Sequence, residues 1–151
     1  MIALTTRSRR KAGSSRGQAI AEFAIAAPIF FLILFAMIDF GRYVYYVQIL
    51  NNAAREGARY AIVHGWQGLP PTGPPDEPTG QAVKDVVRRY AIGVIGVDDA
   101  TQLDVSANWD PNNNRGSKVT VTVTYAFRSL IPVVPIPAIQ VEGASTLVIN
   151  N

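Results

Sequence analysis

Glu22 stands in a run, Ala19 to Ile38, whose other residues are all apolar or small. A carboxylate has few options there. Placing its charge in hydrocarbon costs about 2.5–3.5 kcal/mol at mid-membrane on insertion scales, and less near an end. No cationic side chain lies one helical turn away within the run. The chemistry open to Glu22 is therefore pairing with an amine from elsewhere, or escape of the side chain to the headgroup level. Gly17 precedes it by five positions, in the order Gly17, Gln18, Ala19, Ile20, Ala21, Glu22, Phe23.

The other reactive residue types form no working set. The sequence has no cysteine and one histidine, His64, which rules out thiolate metal sites and disulfides and argues against a histidine-based site. His64 precedes Gly65 at the end of a helical pattern and reads as a C-terminal cap. Asp110, Asn112 and Asn114 alternate as in a calcium loop. The glycine comes one place late, however, Arg115 intervenes and no glutamate closes the loop, so "DPNNNRG" reads as a hairpin turn. Asp98-Asp99 reads as a solvated turn, and Glu56 and Arg59 as a weak pair on a helix surface. No Ser/His/Asp arrangement, paired carboxylates or phosphate-cradling glycine loop can be assembled. Neither an enzyme nor a cofactor is expected.

The net charge of +3 is local. Five of the 14 basic residues (Arg7, Arg9, Arg10, Lys11, Arg16) precede Gly17 with no acid among them, leaving nine against all 11 acids beyond it. A nucleic-acid surface would need that basicity on the folded part. Beside an apolar run, it instead marks a cytoplasmic N-terminus and an exported C-terminus.

Twenty helical residues rise roughly 30 Å, the thickness of a bilayer's hydrocarbon core. Phe40, Tyr43, Tyr45 and Tyr46 follow at once, as an aromatic belt would. The run is longer than the core of a cleaved signal peptide, and its far end, "AMIDFG", has no small-x-small site. The expected division is a basic, disordered leader (1–17), a transmembrane helix (18–39) and an exported domain (40–151). That domain begins with the continued helix (40–64).

Tyr43, Val47, Leu50, Ala54, Ala58 and Ala61 recur at helical spacing, predicting one helix from about Ala19 to His64. Ala53, Gly57 and Ala61 form a small-residue stripe fit for close backbone approach. Glycine costs about 1 kcal/mol against alanine within a helix, so Gly57 implies a packing reason; if the stripe packs closely, Gly57→Leu is expected to destabilise by overpacking and Gly57→Ala to be mild or even stabilising. Pro28 lies within the span and can bend it. "WQGLPPTGPPDEPTG" reads as a long irregular loop. A second helix, Gln81 to about Ile95, presents Val83, Val86, Val87, Tyr90 and Val94. Period-two patterns then give strands over Leu103–Trp109 and Val119–Phe127, and a weaker third over the tail. The fold class is α+β: a long N-terminal helix on a small antiparallel sheet of about three strands, with a second helix.

The glycine, four residues and Glu-Phe after a basic leader resemble the type IV prepilin processing site. Phe23 stands where Flp-type sites often have tyrosine. "GQAIAEFAIAAPIFFLILFAMIDFGR" and "QILNNAAREGARYAIVHG" resemble TadE-like proteins of tight-adherence (Flp) pilus systems, over residues 16–65. The resemblance implies a pilin-like fold and a minor pilin or pseudopilin cut after Gly17 by a prepilin peptidase. Gly17, Gln18, Glu22 and Phe23 would form the processing site, with Glu22 setting register during assembly. Implied partners are that peptidase, the major Flp pilin, sibling minor pilins, the membrane platform and membrane lipid. An uncleaved, membrane-anchored envelope domain that binds or scaffolds a partner is the alternative.

Overall fold

The computed structural model describes residues 14–75, 77–95, 103–130 and 137–150. Most of the basic leader and Asp98-Asp99 lie outside them. Helix α1 spans Ser14–Val63, α2 spans Gln81–Ile95, and strands β1 (Leu103–Asp110), β2 (Lys118–Phe127) and β3 (Ile139–Val148) follow. The chain divides into two compact units, Met1–Ile38 and Asp39–Asn151, with the boundary inside α1. The fold is α+β, as the periodicities predict.

Helix α1 begins before Gly17, earlier than expected, so 14–17 are helical rather than irregular. No breaker separates them from the apolar run, and a single glycine costs too little to stop the helix. It continues without interruption through Pro28. Its end is built as a cap. The His64 ring Nδ1 lies 3.0 Å from the Tyr60 carbonyl, and the ring stacks on Tyr60. The His64 carbonyl, orphaned by the helix end, accepts from Thr72 N (2.6 Å) and Thr72 Oγ1 (2.8 Å). The loop after α1 is thereby folded back onto the helix. Ahead of α2, Glu77 Oε1 accepts from Ala82 N at 2.7 Å, satisfying a first-turn donor.

The sheet has order β1-β2-β3, antiparallel throughout. Val119, Val121, Val123, Tyr125 and Phe127 of β2 are buried, and Leu103, Val105 and Trp109 of β1 and Val141 of β3, among their partners in register, extend the buried apolar face on both sides. The opposite face is polar, with Thr120 and Thr146 hydroxyls 2.9 Å apart across the β2–β3 pair. The second half of α1 covers the apolar face through Leu50, Ala53, Ala54, Ala58 and Ala61, all fully buried. Helix α2 packs along β1, burying Val83, Val87 and Ala91. Its buried stripe is rotated from the expected one: Tyr90 is exposed and Ala91 lies inside. Alanine permits close approach, whereas a buried phenol would need a partner for its hydroxyl.

Two glycines set the helix–sheet distance. A methyl carbon at Gly57 would come under 3.0 Å from Val87 Cγ2 and to 3.3 Å from Val121 Cγ1. At Gly143 of β3 it would meet the α1 backbone itself, at 2.5 Å from Asn51 N and 2.7 Å from Leu50 O. The small-residue stripe is therefore a contact seam, and the expectation that Gly57→Ala is mild is corrected. The space a methyl needs is already filled by a β-branched side chain.

Candidate functional site

The residues singled out around Glu22 lie on consecutive turns of one helix. Gly17, Gln18, Glu22 and Phe23 are all exposed. Gln18 and Glu22, four apart, share a face, and Gln18 Nε2 donates to Glu22 Oε1 at 3.1 Å. Among the described residues Glu22 has no cationic partner. A Cβ at Gly17 would meet nothing within 4 Å, so nothing packed around it in this chain requires glycine there. The apolar run beyond is exposed on every side, with Ile20, Phe23, Ile25 and Met37 each about 70% accessible. It belongs to the one described helix long and apolar enough to cross a membrane.

A second carboxylate, Asp39, closes the apolar run, and the sequence reading gave it no role. It is 8% exposed. Its Oδ2 accepts from Ser129 Oγ at 2.5 Å and from Leu130 N at 2.9 Å, while Oδ1 accepts from Arg42 Nη1 at 2.9 Å. Arg42 in turn lies over the Phe127 ring at 5.1 Å and the Tyr46 ring at 5.8 Å. The carboxylate thus ties the segment leaving β2 to the first turn of the folded unit. An acid directly after an apolar run, with arginine three residues on, was the visible signal. Its partners 90 residues away were not.

The aromatic residues expected as a belt divide into two sets. Tyr43 and Tyr46 turn toward the sheet and pack on Phe127 and Tyr125, while Phe40 and Tyr45 remain exposed. Glu56 and Arg59 form no ion pair with each other. The "DPNNNRG" stretch is a turn, as read. Asn112 Oδ1 accepts from Asn114 N at 2.9 Å and Ser117 Oγ at 2.8 Å, so an oxygen a cation would need is occupied. Among the described residues no group of three or more His, Cys, Asp or Glu is placed to hold a metal.

Residues 17–59 match the family model described as TadE-like protein. The match opens on Gly17, runs through the apolar stretch to Ala53 and Gly57 of the α1 seam, and stops before Ala61, α2 and the sheet. No curated protein and no solved structure matches the chain. The family is a pilin-like one, generally without catalytic activity. The chain accordingly contains a TadE-like family domain at residues 17–59, and that membership suggests a role in the biogenesis of Tad pili.

Proposed function

We propose that the protein is a TadE-like minor pilin or pseudopilin, processed after Gly17 and acting in assembly of Flp-type pili. It inserts with the basic leader (1–17) in the cytoplasm, residues 18–39 across the membrane and residues 40–151 exported. Its partners are the prepilin peptidase, the major pilin, sibling minor pilins and the membrane platform. The observation that carries this reading is the pairing of an unpacked glycine with an uncompensated carboxylate one turn into the span. Gly17 has open space around it, so a peptidase pocket shaped for glycine is a better reason for it than folding. Cutting there makes Gln18 the first residue. Its new α-amine would lie about 6 Å along the axis from Glu22, on the face where Gln18 already bonds that carboxylate. An ammonium there, or on a neighbouring subunit, offsets the cost of the buried charge and favours one axial register over others.

The test is mass spectrometry of the chain purified from its native membrane, beside a pull-down of pilus components. The mature chain should begin at Gln18. Gly17→Val should leave the leader attached, and Glu22→Ala should be cut but fail to assemble. A wild-type N-terminus upstream of Gly17 would favour the uncleaved envelope anchor. Normal assembly by Glu22→Ala would remove the role given to the carboxylate. Protease added outside spheroplasts should digest the chain beyond Tyr46, and its full protection would contradict the orientation.

A further inference from the structure

Where α1 ends, the loop after it, the β1–β2 turn and the residues following β3 enclose an open cleft. Helix α1 covers roughly 36 Å between Asp39 and this end, so within the folded unit the cleft lies at the opposite end of the helix from Asp39. Trp66 forms part of its wall and is 59% exposed, although its backbone is fixed by donation to the Asn113 carbonyl at 3.1 Å. The turn itself is anchored, with Asn113 buried and donating from Nδ2 to the Thr72 carbonyl at 3.1 Å. Gln67, Asn112, Asn114, Arg115 and Asn150 line the same cleft. Because Asn112 Oδ1 is held by Asn114 N and Ser117 Oγ, its amide NH2 is the group left for a ligand. Arg115 pairs with no carboxylate, and no Asp or Glu lines the cleft, among the described residues.

One exposed tryptophan is ordinary on a protein surface. A tryptophan held by its backbone, sharing one cleft with four amide-bearing residues and an arginine that pairs with no carboxylate among the described residues, is a specific chemical set. The indole offers a flat apolar face to the C–H face of a pyranose ring. The amides offer donors and acceptors to its hydroxyls, and the guanidinium offers a fork that fits a carboxylate. A peptide strand would instead need a free ladder of backbone groups. Here the backbone is already committed: Gly116 N donates to Ile149 O, Ile149 N to Ser117 O and Ser117 N to Asn114 O. A nucleic-acid strand would need several cations along a track, and among the described residues Arg115 alone supplies one to the cleft. We propose that this cleft binds a saccharide carrying a carboxylate, of the uronate class, with Trp66 as the stacking platform and Arg115 as the acid-reading residue. The proposal uses only residues beyond α1 and is independent of whether Gly17 is cut.

The experiment uses the full chain in lipid nanodiscs assembled without sugar-headgroup detergent. Saturation-transfer NMR from the protein's aromatic protons is read on trigalacturonate and on neutral maltotriose. Wild type should give saturable transfer to trigalacturonate and weaker transfer to maltotriose. Trp66→Ala should abolish both, while the near-UV circular dichroism of buried Trp109 shows the fold intact. Arg115→Gln should weaken trigalacturonate at least tenfold and leave maltotriose within twofold. Three results would each overturn the proposal: no saturable transfer to trigalacturonate, unchanged binding in Trp66→Ala, or displacement of trigalacturonate by an equal concentration of citrate.

Discussion

Replacing Gly57 by alanine puts two effects of similar size against each other, and the structure decides between them. Removing a helical glycine gains about 1 kcal/mol from the unfolded chain's lost freedom. The added methyl, however, would come under 3.0 Å from Val87 Cγ2 and to 3.3 Å and 3.5 Å from Val121 Cγ1 and Val83 Cγ1. Optimal carbon–carbon separation is about 3.5–4.0 Å, so one contact is impossible as it stands and the other two are at or inside the limit. Val87 cannot easily turn away, because a β-branched side chain in a helix has one strongly preferred rotamer. Helix α2 must therefore move off α1, and overpacking of this kind costs about 1–3 kcal/mol. The net effect expected for Gly57→Ala is a loss of up to about 2 kcal/mol. At roughly 4–8 °C per kcal/mol for a small domain, that is a visible drop in Tm. The assay is thermal unfolding of the full chain in nanodiscs, followed by the near-UV signal of buried Trp109. Val87→Ala supplies the control that identifies the cause. With Val87 shortened, the same Gly57→Ala change should become neutral or stabilising by up to about 1 kcal/mol. Gly57→Ala that is stabilising in the wild-type background, or equally destabilising in both, would refute the steric reasoning.

Gly143→Ala should be worse than Gly57→Ala, since its methyl meets α1 backbone rather than a side chain. A comparable or smaller fall in Tm would mean that β3 can slide away from the helix. Asp39→Asn keeps an acceptor but loses the charge that faces Arg42, Ser129 and Leu130. About 1–3 kcal/mol should be lost, together with faster amide exchange at Leu130, and unchanged exchange there would show the clamp to be idle. His64→Ala removes a ring contact to the Tyr60 carbonyl but leaves Thr72 on the His64 carbonyl. It should cost less than Thr72→Val, as compared by denaturant midpoints, and the reverse order would mean that the ring is the principal cap.

Both helices, the β1–β2 hairpin with its inward and outward faces, and the end of α1 near His64 were legible in the sequence, because each is a local pattern. A period of 3.6 or 2 records which side of an element is apolar without reference to anything distant. The pattern that singles out Gly17 and Glu22 is likewise one-dimensional: a charge in an apolar run and a glycine at fixed spacing. What an apolar face meets is not written in its own period. Gly57 announced that something comes close, but only the fold shows Val87 already occupying the space. Gly143 had no such signal, because its neighbours, Leu50 and Asn51, lie on a different element. Asp39 read only as the end of a span, and the fold brings Ser129 and Leu130 onto it. Asn113 looked like one of three turn asparagines until Thr72 accepted its amide. These pairs are joined across 41 and 90 positions by the docking of α1 on the sheet and of the loop on the turn. The sequence determined which elements form and which faces are apolar; the packing of those faces decided which polar groups are buried, and with what partners.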